Sequence, residues 1–267
     1  MSQNSRSDRG MDPAVRSLSR SKLQDEINDF MSLLDSRAEE RIVHDFLSRH
    51  SYFFYDLIRS NGFSTLYSKI KLGSDYEVDF AWFDTSSNGP EWSFVELEAP
   101  TRRMFTALGY PSQWLIHAIQ QVLDWHSWIH DNLDYAKRLM PHVEYPRGYV
   151  FIGRRSELTP IKRKRLRRLQ YEYRRSVEIH TLDWFVTSAR NFQYTVTDHK
   201  GGNWEIPSGA LGHGDLAKGC PVDAFKWLNS QFADNSKAIF QEYSLEEREQ
   251  SALLNPDLFN EDRNEIK

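Results

Sequence analysis

Hydrophobic and polar positions alternate with a period of two between residues 74 and 100 of the 267-residue chain. Residues 76–83, YEVDFAWF, change between two sets of side chains at every position, which is the pattern of a β-strand. The run SSNGP then predicts a turn, and residues 91–98, EWSFVELE, predict the return strand. The sequence therefore predicts a β-hairpin.

This hairpin carries three acidic side chains. Asp79 lies in the first strand, while Glu96 and Glu98 continue a face of the second strand that begins with Trp92 and Phe94. A carboxylate without a partner is costly in apolar surroundings, so acids at the end of a core-facing stripe usually bind a cation. Carboxylate oxygens suit a hard divalent ion, and the predicted cofactor is Mg²⁺ or Mn²⁺. The alternative is a hairpin whose acidic edge is simply solvated.

Helical and extended patterns flank the hairpin. Helices are predicted over residues 19–35, 38–50, 111–130, 158–175 and 183–191, and further strands over residues 63–72, 148–155 and 177–180. The helix at 38–50 has an apolar stripe that includes Ile42 and Val43. Glu39 lies one turn before Val43, either as an additional acid near the metal or as a solvated acid of the first helical turn.

Gln121 is the unusual polar residue of the helix at 111–130. At helical spacing it lies between Trp114 on one side and Trp125 on the other. An amide in such a stripe needs a hydrogen-bond partner, which a metal-bound water, a carboxylate or a phosphate would supply. The alternative is a core glutamine satisfied by backbone groups.

The helix at 158–175, LTPIKRKRLRRLQYEYRR, has dense positive charge around inward-facing apolar residues that include Ile161. The residues predicted to bind nucleic acid are Lys162, Arg163, Lys164, Arg167 and Arg168. Few acids interrupt this charge, and uncompensated basic residues suit a phosphate backbone, so DNA is the predicted partner. The alternative is a merely solvated charged helix.

The composition of the chain indicates whether the protein is folded, how many domains it has and in which compartment it is expected. Hydrophobic residues make up 39% of the chain, which predicts a folded protein with ample material for a core. Its length predicts one large domain, or a domain with an appendage. No apolar run is long enough for a membrane span, and the N-terminus lacks the apolar core of a signal peptide. The single cysteine, Cys220, fits a reducing compartment, and a cytoplasmic location without membrane contact is expected.

Domain organisation follows from changes in composition. Residues 1–18 are predicted to be a flexible arm, 19–195 the main domain, 196–221 a glycine-rich connector, and 222–267 a helical segment with an acidic end. The acidic segment is expected to dock on the basic helix, to mediate oligomerisation or to be solvated.

The predicted order helix, strand, strand, strand, helix, strand resembles the core of the PD-(D/E)xK superfamily. That resemblance implies a restriction-endonuclease-like α/β fold, with a mixed β-sheet flanked by helices and, in this chain, a helical C-terminal appendage. The segments SDYEVDFA, FVELEAP, HAIQQVLDWHSWI, GYVFIGRR and IHTLDWF look like those of Shedu-type antiphage defence nucleases, a bacterial family. The resemblance covers residues 38–189.

By this likeness Asp79 and Glu96 take the places of the family's metal-binding acids, and Gln121 falls where many relatives carry a glutamine near the site. Glu98 departs from the pattern, because it stands where the motif has a lysine. The resemblance implies a metal-dependent DNA endonuclease in bacterial antiphage defence. Glu98 would hold a second ion or accept a proton from the attacking water.

Partners implied besides DNA are further copies of the chain in a homo-oligomer and an accessory defence protein. Two alternatives stay open because of the missing lysine and the segregated charge. One is a catalytically inert nucleic-acid-binding scaffold that keeps the nuclease fold, and the other is a regulatory or oligomeric assembly protein.

Overall fold

The computed structural model describes residues 15–18, 20–58, 66–86, 89–140, 142–199, 204–207 and 211–212. The helices there are α1 (Arg20–Asp35), α2 (Glu40–Arg49), α3 (Tyr55–Ile58), α4 (Gln113–Asp131), α5 (Leu133–Leu139), α6 (Pro160–Tyr173) and α7 (Asp183–His199). The strands are β1 (Val15–Leu18), β2 (Tyr67–Leu72), β3 (Tyr76–Ser86), β4 (Gly89–Leu97), β5 (Arg147–Phe151), β6 (Val177–His180), β7 (Trp204–Pro207) and β8 (Leu211–Gly212). Short 3₁₀ turns lie at Ser51–Phe54 and Arg155–Glu157.

The main sheet is mixed, with the strand order β6-β5-β4-β3-β2-β8. Strands β2, β3 and β4 are antiparallel neighbours, and β3 and β4 form the predicted hairpin. Strands β4, β5 and β6 run parallel because the chain crosses over through α4 and α5 and then through α6. The predicted α/β class, a mixed sheet flanked by helices, is confirmed.

Helices cover both faces of this sheet. Helices α4 and α5 contribute to one core, against which α6 also packs, while α1, α2, α3 and α7 contribute to the core on the opposite face. Aromatic residues fill the second core, where the ring centroids of Phe151 and Phe185 lie 4.3 Å apart. Burial on both faces explains why the β5 segment is nearly continuously apolar.

Local sequence chemistry sets where α4 and α6 begin. The Ser112 hydroxyl oxygen accepts a hydrogen bond from the Leu115 backbone N–H at 3.1 Å, which caps α4. Thr159 caps α6 in the same way, and Pro160 occupies the first turn. Gly148 of β5 lets α4 approach closely, because a Cβ there would lie 2.3 Å from the Val122 side chain.

Two residues predicted to face the core are exposed. Ile42 of α2 is 42% exposed, and the buried face of this helix instead includes Val43 and His44. Ile161 of α6 is 67% exposed, because α6 packs on the sheet through Leu166, Leu169 and Tyr173, one to three turns further along. Both predicted stripes were therefore wrong at one residue.

A small second sheet pairs β1 with β7 antiparallel. Strand β1 lies at the end of the predicted arm, and β7 lies within the predicted connector. The appendage at 222–267 lies outside the described residues.

Candidate active site

The candidate site lies where the hydrogen-bonded ladder between β3 and β4 opens. The last pair of this ladder is Phe80 with Val95, so the same register places Asp79 opposite Glu96. Beyond that pair, the Asp79 carboxylate oxygen Oδ2 accepts a hydrogen bond from the Leu97 backbone N–H at 2.8 Å. A side chain thus takes the place of a backbone acceptor and fixes the Asp79 carboxylate between the two strands.

Strand β2 brings a cation to Asp79. The Lys69 ammonium Nζ donates to the Asp79 oxygen Oδ1 at 2.6 Å and lies 3.5 Å from the Glu77 oxygen Oε1. Burial alone would lower the pKa of Lys69, but the contacts with Asp79 and then Glu77 raise it overall. Lys69 is therefore a charged partner of Asp79, and the hairpin sequence gave no indication of it.

The backbone of Lys69 explains how its side chain reaches Asp79. Its φ angle is 55°, in the left-handed region that non-glycine residues rarely adopt. Tyr67 and Ile70, three residues apart, pack in the same core, and so do Val78 and Ala81 of β3. The alternation of side chains between the two faces of the sheet thus shifts by one residue in each strand. The shift occurs at Lys69 in β2 and at Asp79, which lies beside it in β3.

Helix α2 fixes the backbone of Asp79 from the other side. The His44 ring nitrogen Nε2 lies 3.2 Å from the Asp79 carbonyl oxygen, and it must donate the hydrogen bond because a carbonyl only accepts. The imidazole also stacks on Phe80, with ring centroids 4.4 Å apart. Burial lowers the pKa of His44, although the nearby Asp79 opposes this, so the ring is a neutral donor near pH 7.

Glu96 near the end of β4 and Glu98 just after it complete a negative cluster. Asp79, Glu96 and Glu98 are each only 6% exposed. Burial, followed by the negative charges of Asp79 and Glu98, raises the pKa of Glu96 well above its usual value. Burial and then Glu40 raise the pKa of Glu98 to about 7, although Arg102 opposes the shift. The carboxyl groups of Glu96 and Glu98 therefore hold protons unusually tightly, because they are buried beside other acids.

Two further residues of the cluster were not predicted. Glu40 is the first residue of α2, and the residue as a whole is exposed. Its carboxyl group is nevertheless partly shielded from water, and this shielding, followed by the charge of Asp79, raises its pKa. The Arg102 guanidinium lies 3.4 Å from the centroid of the Trp114 ring, and its charge opposes the raised pKa values of Glu40 and Glu98. Glu39, the acid considered from sequence, is instead the N-cap residue of α2.

The carboxylates of the cluster are suitable ligands for a divalent cation, but their positions in this structure do not form a metal site. Carboxylate oxygens are the ligands that Mg²⁺ and Mn²⁺ prefer. In the part of the chain that the structure describes, however, no group of three or more His, Cys, Asp and Glu side chains is arranged to hold a metal ion. Both Asp79 oxygens are already hydrogen-bonded, one to Lys69 and one to Leu97. A metal ion at Asp79 would therefore compete with the Lys69 ammonium for this carboxylate.

Gln121 lies on α4, half-buried beside the buried residues Val122 and Trp125. Among the described residues, no hydrogen bond joins Gln121 to the acids of the site, and its predicted place near them stays a prediction.

The predicted nucleic-acid-binding residues lie on α6, which contains no buried residue. Lys164 and Arg167 are exposed, whereas Arg168 donates to Glu172 at 2.9 Å and Arg163 donates to the Leu158 carbonyl at 2.9 Å. Lys162 is half-buried. Lys164 and Arg167 are therefore the two of these five residues that are both exposed and without a hydrogen bond or ion pair among the described residues.

A loop connects the acid cluster to α6. After β4, the chain passes Arg102 and reaches a tight turn in which Phe105 and Pro111 form an isolated bridge. Arg165 of α6 donates to the Leu108 carbonyl at 2.9 Å, and its guanidinium lies 5.1 Å from the centroid of the Tyr110 ring. The segment that follows Glu98 is therefore attached to the basic helix.

A family model described as Shedu protein SduA, C-terminal, matches residues 37–186, which is more than half of the chain. The chain belongs to this Shedu family. The match includes α2 and all of β2 to β6, so it contains the complete acid cluster of this Shedu protein. A comparison with curated proteins found no match.

Shedu membership is consistent with a role in antiphage defence. Among the described residues, none of the helices is long and apolar enough to cross a membrane.

Proposed function

We propose that this Shedu protein is a metal-dependent DNA endonuclease acting in antiphage defence. The observation that supports this proposal is the buried acid cluster at the opening between β3 and β4. Three carboxyl groups with 6% exposure each would be costly to ionise together unless a cation offsets their charge. Strongly perturbed carboxyl groups are also typical of catalytic sites, where acid–base chemistry needs such shifts.

Asp79 and Glu96 would hold Mg²⁺ or Mn²⁺, because they lie opposite each other in the strand register. When bound, such an ion neutralises charge on phosphate oxygens and helps water to lose a proton. Glu98 is the candidate base, since a carboxyl group with a pKa of about 7 is partly ionised at neutral pH and can accept a proton from water.

The basic surface of α6 is the proposed contact with the DNA backbone. Its exposed residues Lys164 and Arg167 would neutralise phosphates without reading sequence. Arg165 ties α6 to the loop that follows the acid cluster, so DNA held on α6 would be anchored to the same segment as the site.

Plasmid cleavage tests the proposal directly. The wild-type protein is incubated with supercoiled plasmid in Mg²⁺, Mn²⁺ or EDTA, together with Asp79→Asn and Glu96→Gln. The wild-type protein should cut with either ion and not in EDTA, and both variants should be inactive. Glu39→Gln is a matched control, because it removes an exposed acid one residue before α2. Cutting that persists in EDTA or in both variants would contradict the proposal.

A second candidate is an inert DNA-binding or assembly scaffold. It is favoured by Lys69, which already neutralises Asp79, and by Glu98 at the position of the motif lysine. A wild-type protein that binds DNA but never cuts duplex, nicked or single-stranded DNA with either ion would support this scaffold.

A further inference from the structure

Lys69 supplies positive charge at the centre of the acid cluster. Its ammonium lies 2.6 Å from Asp79 Oδ1, the distance of a charge-assisted hydrogen bond. The Asp79 side chain is 8% exposed whereas the Lys69 side chain is 45% exposed, so a partly exposed ammonium reaches a buried carboxylate.

The backbone indicates that this contact is specific. A left-handed φ at a non-glycine residue costs free energy, and such residues persist where the surrounding structure holds them. At Lys69 this conformation accompanies the shift in alternation that lets the lysine and Asp79 meet. An exposed lysine that only added solubility would not require this conformation.

We propose that Lys69 is a resident counter-cation that occupies Asp79 in the metal-free protein and must leave it when a divalent ion binds. This inference rests on the proposed function, because it assumes that Asp79 is a metal ligand. The lysine is suited to the exchange: its flexible stem is half exposed, so the ammonium can move into water without passing through the core. Glu77, 3.5 Å away and also partly exposed, is a partner to which it can turn.

Competition has a measurable consequence. If the ammonium and the ion exclude each other at Asp79, removing the ammonium must strengthen ion binding, by the reciprocity of linked equilibria. A charge-assisted hydrogen bond of this geometry predicts about tenfold tighter binding or more. A lysine that only supported the fold would give the opposite result, because its loss would loosen the site.

Calorimetric titration with Mn²⁺, using the full chain, tests the exchange. Lys69→Met removes the charge while keeping an unbranched side chain, so it leaves the left-handed backbone equally strained. Lys69→Arg keeps the charge, and Lys71→Met is the matched control, because it removes an exposed lysine two residues along the same strand. Circular dichroism verifies that each variant is folded.

The expected result is that Lys69→Met binds Mn²⁺ about tenfold tighter than the wild-type protein or more, with Lys69→Arg and Lys71→Met close to wild type. Unchanged or weaker binding by folded Lys69→Met, while the wild-type protein binds, would overturn the exchange and leave the proposed function intact. If neither the wild-type protein nor Lys69→Met binds Mn²⁺, both the exchange and the metal-dependent function are wrong.

Discussion

Replacing Glu98 with glutamine should stabilise the metal-free protein in a strongly pH-dependent way. The pKa of Glu98 rises from 4.5 to about 7 on folding, because the carboxyl group is buried and faces Glu40. Between these values the folded protein keeps the proton that the unfolded chain releases. Unfolding therefore releases a proton in this window, and stability falls as pH rises from about 4.5 to about 7.

The size of the effect follows from the pKa. One pKa unit corresponds to about 1.4 kcal/mol, so an ionised Glu98 costs the folded state about 3 kcal/mol above pH 7. Glutamine has a similar size and never ionises, so Glu98→Gln removes this cost. We expect the variant to be more stable by about 3 kcal/mol near pH 8 and by under about 0.5 kcal/mol near pH 4.5.

Urea unfolding in EDTA, followed by circular dichroism at both pH values, measures the difference. With a slope of about 2–3 kcal/mol per molar urea, the midpoint of Glu98→Gln should rise by about 1 M at the higher pH and hardly change at the lower. Glu39→Gln, an exposed neighbour, should show no such dependence. A gain equal at both pH values, or a loss near pH 8, would refute the assignment of Glu98 to a crowded negative cluster.

The same substitution should act oppositely on catalysis. If Glu98 accepts the proton of the attacking water, Glu98→Gln should lower cleavage by roughly a hundredfold or more while DNA affinity stays nearly unaltered. Equal cleavage by the wild-type protein and the variant across a Mg²⁺ titration would show that Glu98 is not the base. A stability gain joined to an activity loss is typical of residues kept for function rather than folding.

Three further predictions concern metal, DNA and packing. Asp79→Ala and Glu96→Ala should each weaken Mn²⁺ or Mg²⁺ binding in calorimetry, and unchanged binding in both would exclude them as ligands. The α6 variant carries alanine at Arg163, Lys164, Arg167 and Arg168. It should bind duplex DNA more weakly, with a log–log salt slope smaller by about 0.9 per lost phosphate contact, and an identical slope would assign α6 another role. Gly148→Ala should lower stability by about 1–3 kcal/mol in urea unfolding, because its Cβ would lie 2.3 Å from Val122, and wild-type stability would contradict this packing.

The hairpin and its acids could be predicted because they follow simple periodic rules. Alternation predicted the strands β3 and β4, which the structure contains, and the same rule predicted that Glu96 shares a face with Phe94. Lys69 could not be predicted, because its left-handed backbone breaks the alternation on which the strand prediction depends. Nothing in the sequence of residues 63–72 marks this break.

Glu40 was missed for a rotational reason. The prediction took Ile42 as part of the buried stripe of α2, together with Val43, Phe46 and Leu47, whereas in the structure Ile42 is 42% exposed and His44 faces inward against Asp79. Residues four apart share a helix face, so the face of His44 carries Glu40 rather than Glu39. The inward placement of His44 in place of Ile42 therefore decides which acid joins the site. Hydrophobicity alone does not favour a histidine over an isoleucine as a buried residue.

The position of the Lys69 charge relative to Glu98 bears on whether the acid cluster can be active. A lysine at position 98 would stand beside Glu96 on β4, whereas Lys69 approaches Asp79 from β2 on the other side of β3. The acid at position 98 therefore need not make the cluster inert, because a cation is already present two strands away. What Glu98 adds is a carboxyl group whose pKa lies near 7, so that its proton leaves easily when another positive charge arrives. Since binding a divalent ion would both displace the Lys69 ammonium and favour ionised Glu98, the ion and the candidate base would be coupled in one step.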